Sequence, residues 1–299
     1  MSHTSAASSD DGRQSSRNNP DNPLSVGDVV ALVESAAPPG LAASWDSNGL
    51  ICGDPTDPVR SILLAVDPVT AVIDEAIDSG VDMIITHHPL YLRGTDHVAA
   101  TDAKGRCVHR LIRAGIALLN AHTSLDAAWG GVADALADRV GLTETVPLEP
   151  APAIPDQGIG RIGRLPQPVT LRRFAADVAA ALPDSAPGLL VGGDLDAVVE
   201  RIAVSGGAGD SLLQRARQAG ADVFLTADLR HHPASEHLEE GRPYLLCGTH
   251  WATEWVGLEP LAQRLQESAR SRGSSLTARV SRIVTDPWTL HLPTGSDQA

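Results

Sequence analysis

The 299 residues are 42% hydrophobic, carry a formal net charge of -14, and contain enough apolar mass to bury one large core or two modest ones. No stretch approaches the ~20 uninterrupted apolar residues of a membrane helix, and the N-terminus lacks a basic-then-apolar signal pattern, so a cytoplasmic protein is expected. The charge would repel nucleic acid and anionic membranes, and Cys52, Cys107 and Cys247, an odd count without CxxC spacing, argue against both a disulfide framework and a thiolate zinc site.

In chain order, residues 1–23 are serine, asparagine and aspartate with almost nothing apolar, and a disordered tail is expected there because burial cannot offset ordering entropy. From Leu24, apolar residues at helical spacing follow Ser25, an N-cap candidate, and Pro38 with Pro39 ends the helix. The run SILLAV (61–66) reads as a strand covered on both faces, followed by a helix near 69–79 and a second strand, VDMIIT (81–86). A helix near 108–114 and the strand IALLN (116–120) continue this βαβ pattern and define an N-terminal α/β lobe, 24–145.

Residues 146–168 are rich in proline and glycine and break the pattern, so a linker and connecting segment is expected over 146–200. Within it, Thr170 caps a predicted helix, and 188–207 reads as two strands joined by a turn at 192–195. A C-terminal α/β lobe is expected over 201–290, followed by a tail, 291–299. It repeats the first: Gly80, Asp82 and Thr86 fall in register with Gly220, Asp222 and Thr226, and LLNAHT (118–123) resembles LLCGTH (245–250). The expected fold class is therefore α/β, with duplicated βαβ units forming two packed lobes. A duplicated unit brings equivalent strand ends to one edge, where open α/β sheets carry ligands.

Four polar stretches lie just past predicted strands: THHP (86–89), AHTSLD (121–126), TADLRHH (226–232) and GTHWATE (248–254). In the last, His250 and Glu254 share a helix face at chelating distance, and Asp126 stands in the same relation to His122; such i, i+4 pairs are commonest as plain surface pairs. Adjacent residues at a strand end point in opposite directions, so His87 and His88 suit two ions a few ångströms apart better than one. Asp126 and Glu254 have the two oxygens needed to bridge such ions. Nitrogen and oxygen ligation without thiolate fits two divalent ions of zinc, iron, manganese or cobalt. The turn SGGAGDS (205–211) has backbone N–H groups able to hold a phosphate but lacks a Walker lysine, and a tight turn is its simpler reading. Likewise WDSNGL (45–50) reads either as site lining or as a turn capped by Asp46 and Asn48.

As a set, SWDSNGLICGDP (44–55), ITHHPL (85–90), NAHTSLDAAWGG (120–131), VGGDLDAVVERIAVSGGAGDSLL (191–213), TADLRHH, CGTHWATEWVGL (247–258) and VTDPW (284–288) resemble the dinuclear-metal-centre family whose members are labelled GTP cyclohydrolase 1 type 2 homologues. The resemblance implies metal ligands at His87, His88, Asp126, His250 and Glu254, a dinuclear site between the lobes, and a ring-shaped homohexamer. Trp251 stands where some relatives have a second histidine, and the short 146–200 region leaves no room for the extra domain of longer members. The implied function is hydrolysis of a small molecule, a purine nucleotide, by metal-activated water that opens the guanine imidazole ring with formate release. His122 or His232 would carry protons, with Asp228, His231 and His232 supporting the site. The competing reading is a non-catalytic oligomeric metal-binding or partner-binding scaffold.

Overall fold

A computed structural model describes residues 23–294. The tails expected at 1–23 and 291–299 lie mostly outside the described residues; 23 and 291–294 are in neither helix nor strand.

The first half begins with β1 (Leu24–Ser25) and α1 (Val26–Ala36), where Ser25 and Asp28 form a capping box. There follow β2 (Gly49–Cys52), β3 (Pro58–Val59), β4 (Ser61–Ala65), α2 (Thr70–Ser79), β5 (Met83–Thr86), α3 (Ala103–Ala114), β6 (Ala117–Asn120), α4 (Thr123–Ala127) and α5 (Val132–Arg139). The second half runs β7 (Thr143–Ala151), β8 (Ile154–Thr170), α6 (Leu171–Ala181), β9 (Leu190–Gly192), β10 (Val198–Ala208), α7 (Leu213–Gln218), β11 (Val223–Ala227) and α8 (His231–Glu239). It ends with β12 (Tyr244–Gly248), α9 (His250–Trp255), α10 (Leu258–Ser271) and β13 (Thr277–Val280).

Two mixed sheets organise the molecule, in the strand orders β13-β4-β5-β6-β2 and β7-β8-β10-β11-β12-β9. Strands β4, β5 and β6 are parallel, with β2 antiparallel at the edge; β10, β11 and β12 are parallel, with β9 antiparallel at the edge. Local bonding matches as well. Asp82 Oδ2 accepts the backbone N–H groups of Arg60 and Ser61 at 2.8 Å, while Asp222 Oδ2 accepts those of Glu200 and Arg201 at 2.9 Å. Each aspartate thus ties the start of its strand to the strand before it. Gly80 and Gly220, both at positive φ, stop the preceding helices.

Three segments depart from the sequence expectations. Residues 146–168 form most of the β7–β8 hairpin instead of a linker. Pro147 and Pro150 sit on β7, the sheet edge, where a missing N–H costs no ladder bond on the open side. At Gly158 a Cβ would lie 2.1 Å from the Glu149 carbonyl oxygen, so glycine marks close strand approach there. Both predicted strands of 188–207 form, but β9 pairs with β12 and not with β10.

The third departure concerns the lobes, which exchange elements. Helix α10 packs Leu258, Leu261 and Leu265 with Val29, Val33 and Ile62, and β13 lies parallel to β4, so residues expected in the second lobe complete the first sheet's layer. Conversely, Leu136 and Ala137 of α5 join Val204, Val223 and Phe174 beneath the second sheet. Short all-apolar strands recorded the sheets; the amphipathic helices could have covered either one.

Candidate metal centre

The carboxyl ends of the parallel strands in both sheets meet at one cavity of ≈ 960 Å³. His88 (after β5), His122 (after β6), Asp126 (α4), His250 and Glu254 (α9) and the glycine-rich end of β10 all line it. His87 lies directly behind them, 1% exposed. Its Nε2 is 3.5 Å from both Asp126 Oδ1 and Glu254 Oε1. Glu254 is central: Oε1 lies 2.9 Å from His250 Nε2, and Oε2 lies 3.0 Å from His88 Nε2. Residues 87–88 and 250–254 are far apart in sequence yet share one carboxylate.

The rings of His87 and His88 both reach Glu254, with centroids 5.1 Å apart, contrary to the opposed directions expected of strand neighbours. The strand ends at Thr86, whose hydroxyl donates to the His88 carbonyl at 2.7 Å, and the bend that follows redirects both rings.

Each histidine is fixed through Nδ1. His87 donates to the Ala121 carbonyl (3.1 Å), His88 to Asp67 (2.6 Å), His122 to Asp46 (2.7 Å) and His250 to Asp228 (2.6 Å). That leaves the Nε2 atoms turned inward, the arrangement by which outer carboxylates and carbonyls orient metal-binding imidazoles. Asp228 holds a left-handed backbone, φ 53°, at the end of β11, a conformation that short polar residues tolerate best. Asp46 is held in turn by Asn48 and Thr123, and Asn48 Oδ1 accepts the His122 N–H at 2.6 Å, so WDSNGL is both turn and site support.

Among the protein groups alone, charges are strongly displaced. Burial opposes a charge on His88, but Glu254 and Asp67 outweigh it and push its pKa up to about 10. His250 rises against burial to about 9 through Glu254 and Asp228. Burial lifts Asp126 to about 6 despite His87, whereas His87 and His88 hold Glu254 well below its usual range against burial. Burial, with the neighbouring His87, lowers His122.

The residues fit a metal. Two groups, His87–His88–His122 and His88–His250–Glu254, can each bring ligand atoms within 4.8 Å of one another. His87 Nε2 and Asp126 Oδ1 are buried without a hydrogen-bond partner, an arrangement that costs free energy unless something else satisfies them. His122 therefore lies within ligand range, although the sequence pattern pointed to proton transfer. Asp67 went unnoticed in the sequence; an acidic residue immediately past strand SILLAV was its only signal. His232, with His231, is exposed at the start of α8 and does not line the cavity; of TADLRHH only Asp228 and Leu229 reach it. Trp251 is buried and forms part of the wall.

The glycine turn is explained by close approach. Gly207 has φ 64°, and a Cβ there would lie 2.3 Å from Glu254 Oε1. Its N–H donates to Thr253 Oγ1 at 3.0 Å, so this amide serves the turn itself.

A family model described as Duf34/NIF3 (NGG1p interacting factor 3) matches residues 24–287, nearly all of the described chain. The chain belongs to the DUF34/NIF3 family. Among its DUF34/NIF3 relatives, a protein of Streptomyces coelicolor named GTP cyclohydrolase 1 type 2 homolog is 48% identical over 91% of this chain and 97% of its own length. One of the same name from Mycobacterium tuberculosis is 36% identical, covering 92% and 99%. A Bacillus cereus protein related to NIF3 superposes with a TM-score of 0.83 at 26% identity, covering 89% of this chain and 99% of that one. No helix among the described residues is long and apolar enough to cross a membrane.

Proposed function

We propose that the chain is a dinuclear metal-dependent hydrolase whose centre lies between two duplicated βαβ lobes. The observation that carries this reading is the convergence of His87, His88, Asp126, His250 and Glu254, with two buried polar atoms, His87 Nε2 and Asp126 Oδ1, left unpaired among them. These five residues would hold two divalent ions, drawn from zinc, iron, manganese and cobalt. Glu254 is suited to bridging, because its two oxygens face different histidines. Bound there, such ions supply a water of lowered pKa and polarise the electrophile.

The protein groups do the remaining work. Asp67, Asp228 and the Ala121 carbonyl keep His88, His250 and His87 in the tautomer that offers Nε2 inward. His122, anchored by Asp46, is the group placed to carry a proton between water and leaving group. His232 is withdrawn from that role because it does not line the cavity.

The names of the relatives point to a guanine nucleotide. On that substrate, water adds at C8 of the imidazole ring and a C8–N bond breaks as the nitrogen takes a proton, leaving a formamide. A second water then splits the formamide into formate and an amine. Formate measured from GTP should appear with metal-loaded protein, stop on chelation and return on reloading. Full metal retention with no formate from GTP or related purine compounds would favour the scaffold instead. The resemblance also carries a ring-shaped homohexamer in the cytoplasm. Light scattering should then give a hexamer's mass, not that of a 31.2 kDa chain.

A further inference from the structure

The cavity around the histidine–carboxylate cluster has an unusual charge balance for a site meant to take a nucleoside triphosphate. Its described lining includes six carboxylates, those of Asp67, Asp126, Glu149, Asp228, Glu254 and Asp286, and neither a lysine nor an arginine. Two divalent ions would not neutralise six carboxylates. Arg93 and Arg230, which adjoin lining residues in sequence, do not themselves line the cavity, and Arg230 is paired with Asp210. Phosphate sites are ordinarily built from arginine forks, lysine or converging backbone N–H groups. Here the amides of Gly207 and Gly209 are already engaged, by Thr253 Oγ1 at 3.0 Å and by the Ala227 carbonyl at 3.3 Å.

What the cavity does offer is aromatic surface and hydrogen-bond acceptors. Trp45 is 61% exposed and meets the His122 ring edge-on at 5.9 Å, and Trp288 is 66% exposed; both line the same cavity. Asp286, two residues from Trp288, also lines it, and its Oδ2 has no hydrogen-bond partner. An ionised carboxylate accepts and cannot donate, so it matches ring N–H or amino groups on a ligand. Indole faces stack on flat rings whatever their sequence of atoms. The volume of ≈ 960 Å³ is ample for a nucleoside.

We propose that the substrate of this centre is an uncharged nitrogen heterocycle of nucleobase or nucleoside size, carrying no phosphate, with its ring against Trp45 and its N–H edge on Asp286. This rests on the hydrolase reading and narrows it: the purine ring is retained, and the triphosphate is what the site disfavours. Repulsion from the carboxylates sets the discrimination, so it weakens as salt rises.

The test is calorimetry on full-length protein whose metal content has first been measured, with guanosine and GTP as probes. Guanosine should bind at least about ten-fold more tightly than GTP at low salt, with the gap narrowing at high salt. Trp45→Ala should weaken guanosine binding about ten-fold while metal content stays unchanged, the loss expected for a stacked base. Asp286→Asn, which keeps the size of the side chain, should weaken guanosine more than GTP and so narrow the gap between them, because both lose the base contact while GTP also escapes one repelling carboxylate. Equal or tighter GTP binding overturns the proposal, as does GTP binding that disappears in Arg93→Ala, because an arginine would then supply the phosphate contact. Metal-loaded protein that binds neither probe also overturns it and leaves the metal centre standing. Protein that takes up no metal sinks the hydrolase reading itself.

Discussion

Gly207 carries the sharpest constraint on any single residue. Its left-handed backbone and the 2.3 Å separation of a would-be Cβ from Glu254 Oε1 leave no room for a side chain. Gly207→Ala should cost roughly 1–2 kcal/mol through backbone strain and displace Glu254, so thermal melting would shift modestly while elemental analysis shows a clear loss of metal. Retained metal would show that Glu254 can shift without consequence. The histidines at 87, 88, 122 and 250 were legible because they follow apolar runs, strands β5, β6 and β12, whose ends from the two sheets meet. Asp67 was not, since its role depends on a contact with His88 across 21 positions. His232 looked equivalent to the others, yet α8 begins one residue before it and carries it into solvent.

At the scale of elements, the strand-entry aspartate of the second sheet, Asp222, makes a pH prediction. Burial raises the pKa of Asp222, but the N–H groups of Arg201 and Glu200 and the Arg242 guanidinium outweigh it and bring it below 3.8. A folded-state pKa below the unfolded value means the stabilisation is present above about 4 and is lost as pH falls through the folded pKa. Asp222→Asn should therefore be less stable than wild type at neutral pH, and denaturant melts should show the gap closing below that window. A gap unchanged down to pH 2 would remove the linkage. Helices α1, α2, α3 and α6, the caps at Ser25 and Thr170 and the buried parallel strands were legible from period and capping chemistry. The β7–β8 hairpin was not: proline and glycine signal a break by their torsions, and only sheet position shows that an edge strand tolerates them.

Across the whole molecule, the internal sequence match suggested duplicated βαβ units in two lobes; the structure has two sheets, with parallel strands β4-β5-β6 and β10-β11-β12, that interlock. Helix α10 and β13 return to the first sheet and α5 crosses to the second, so Glu254 sits on the path between two cores and not at the end of one. That interlocking holds side chains from distant parts of the chain, His88, His250 and Glu254, at hydrogen-bonding separations. The most direct measurement is elemental analysis of purified wild type and Glu254→Ala. The account predicts about two divalent ions per chain in wild type and a large loss in the variant, with folding retained by circular dichroism. Metal content unchanged by Glu254→Ala would contradict it.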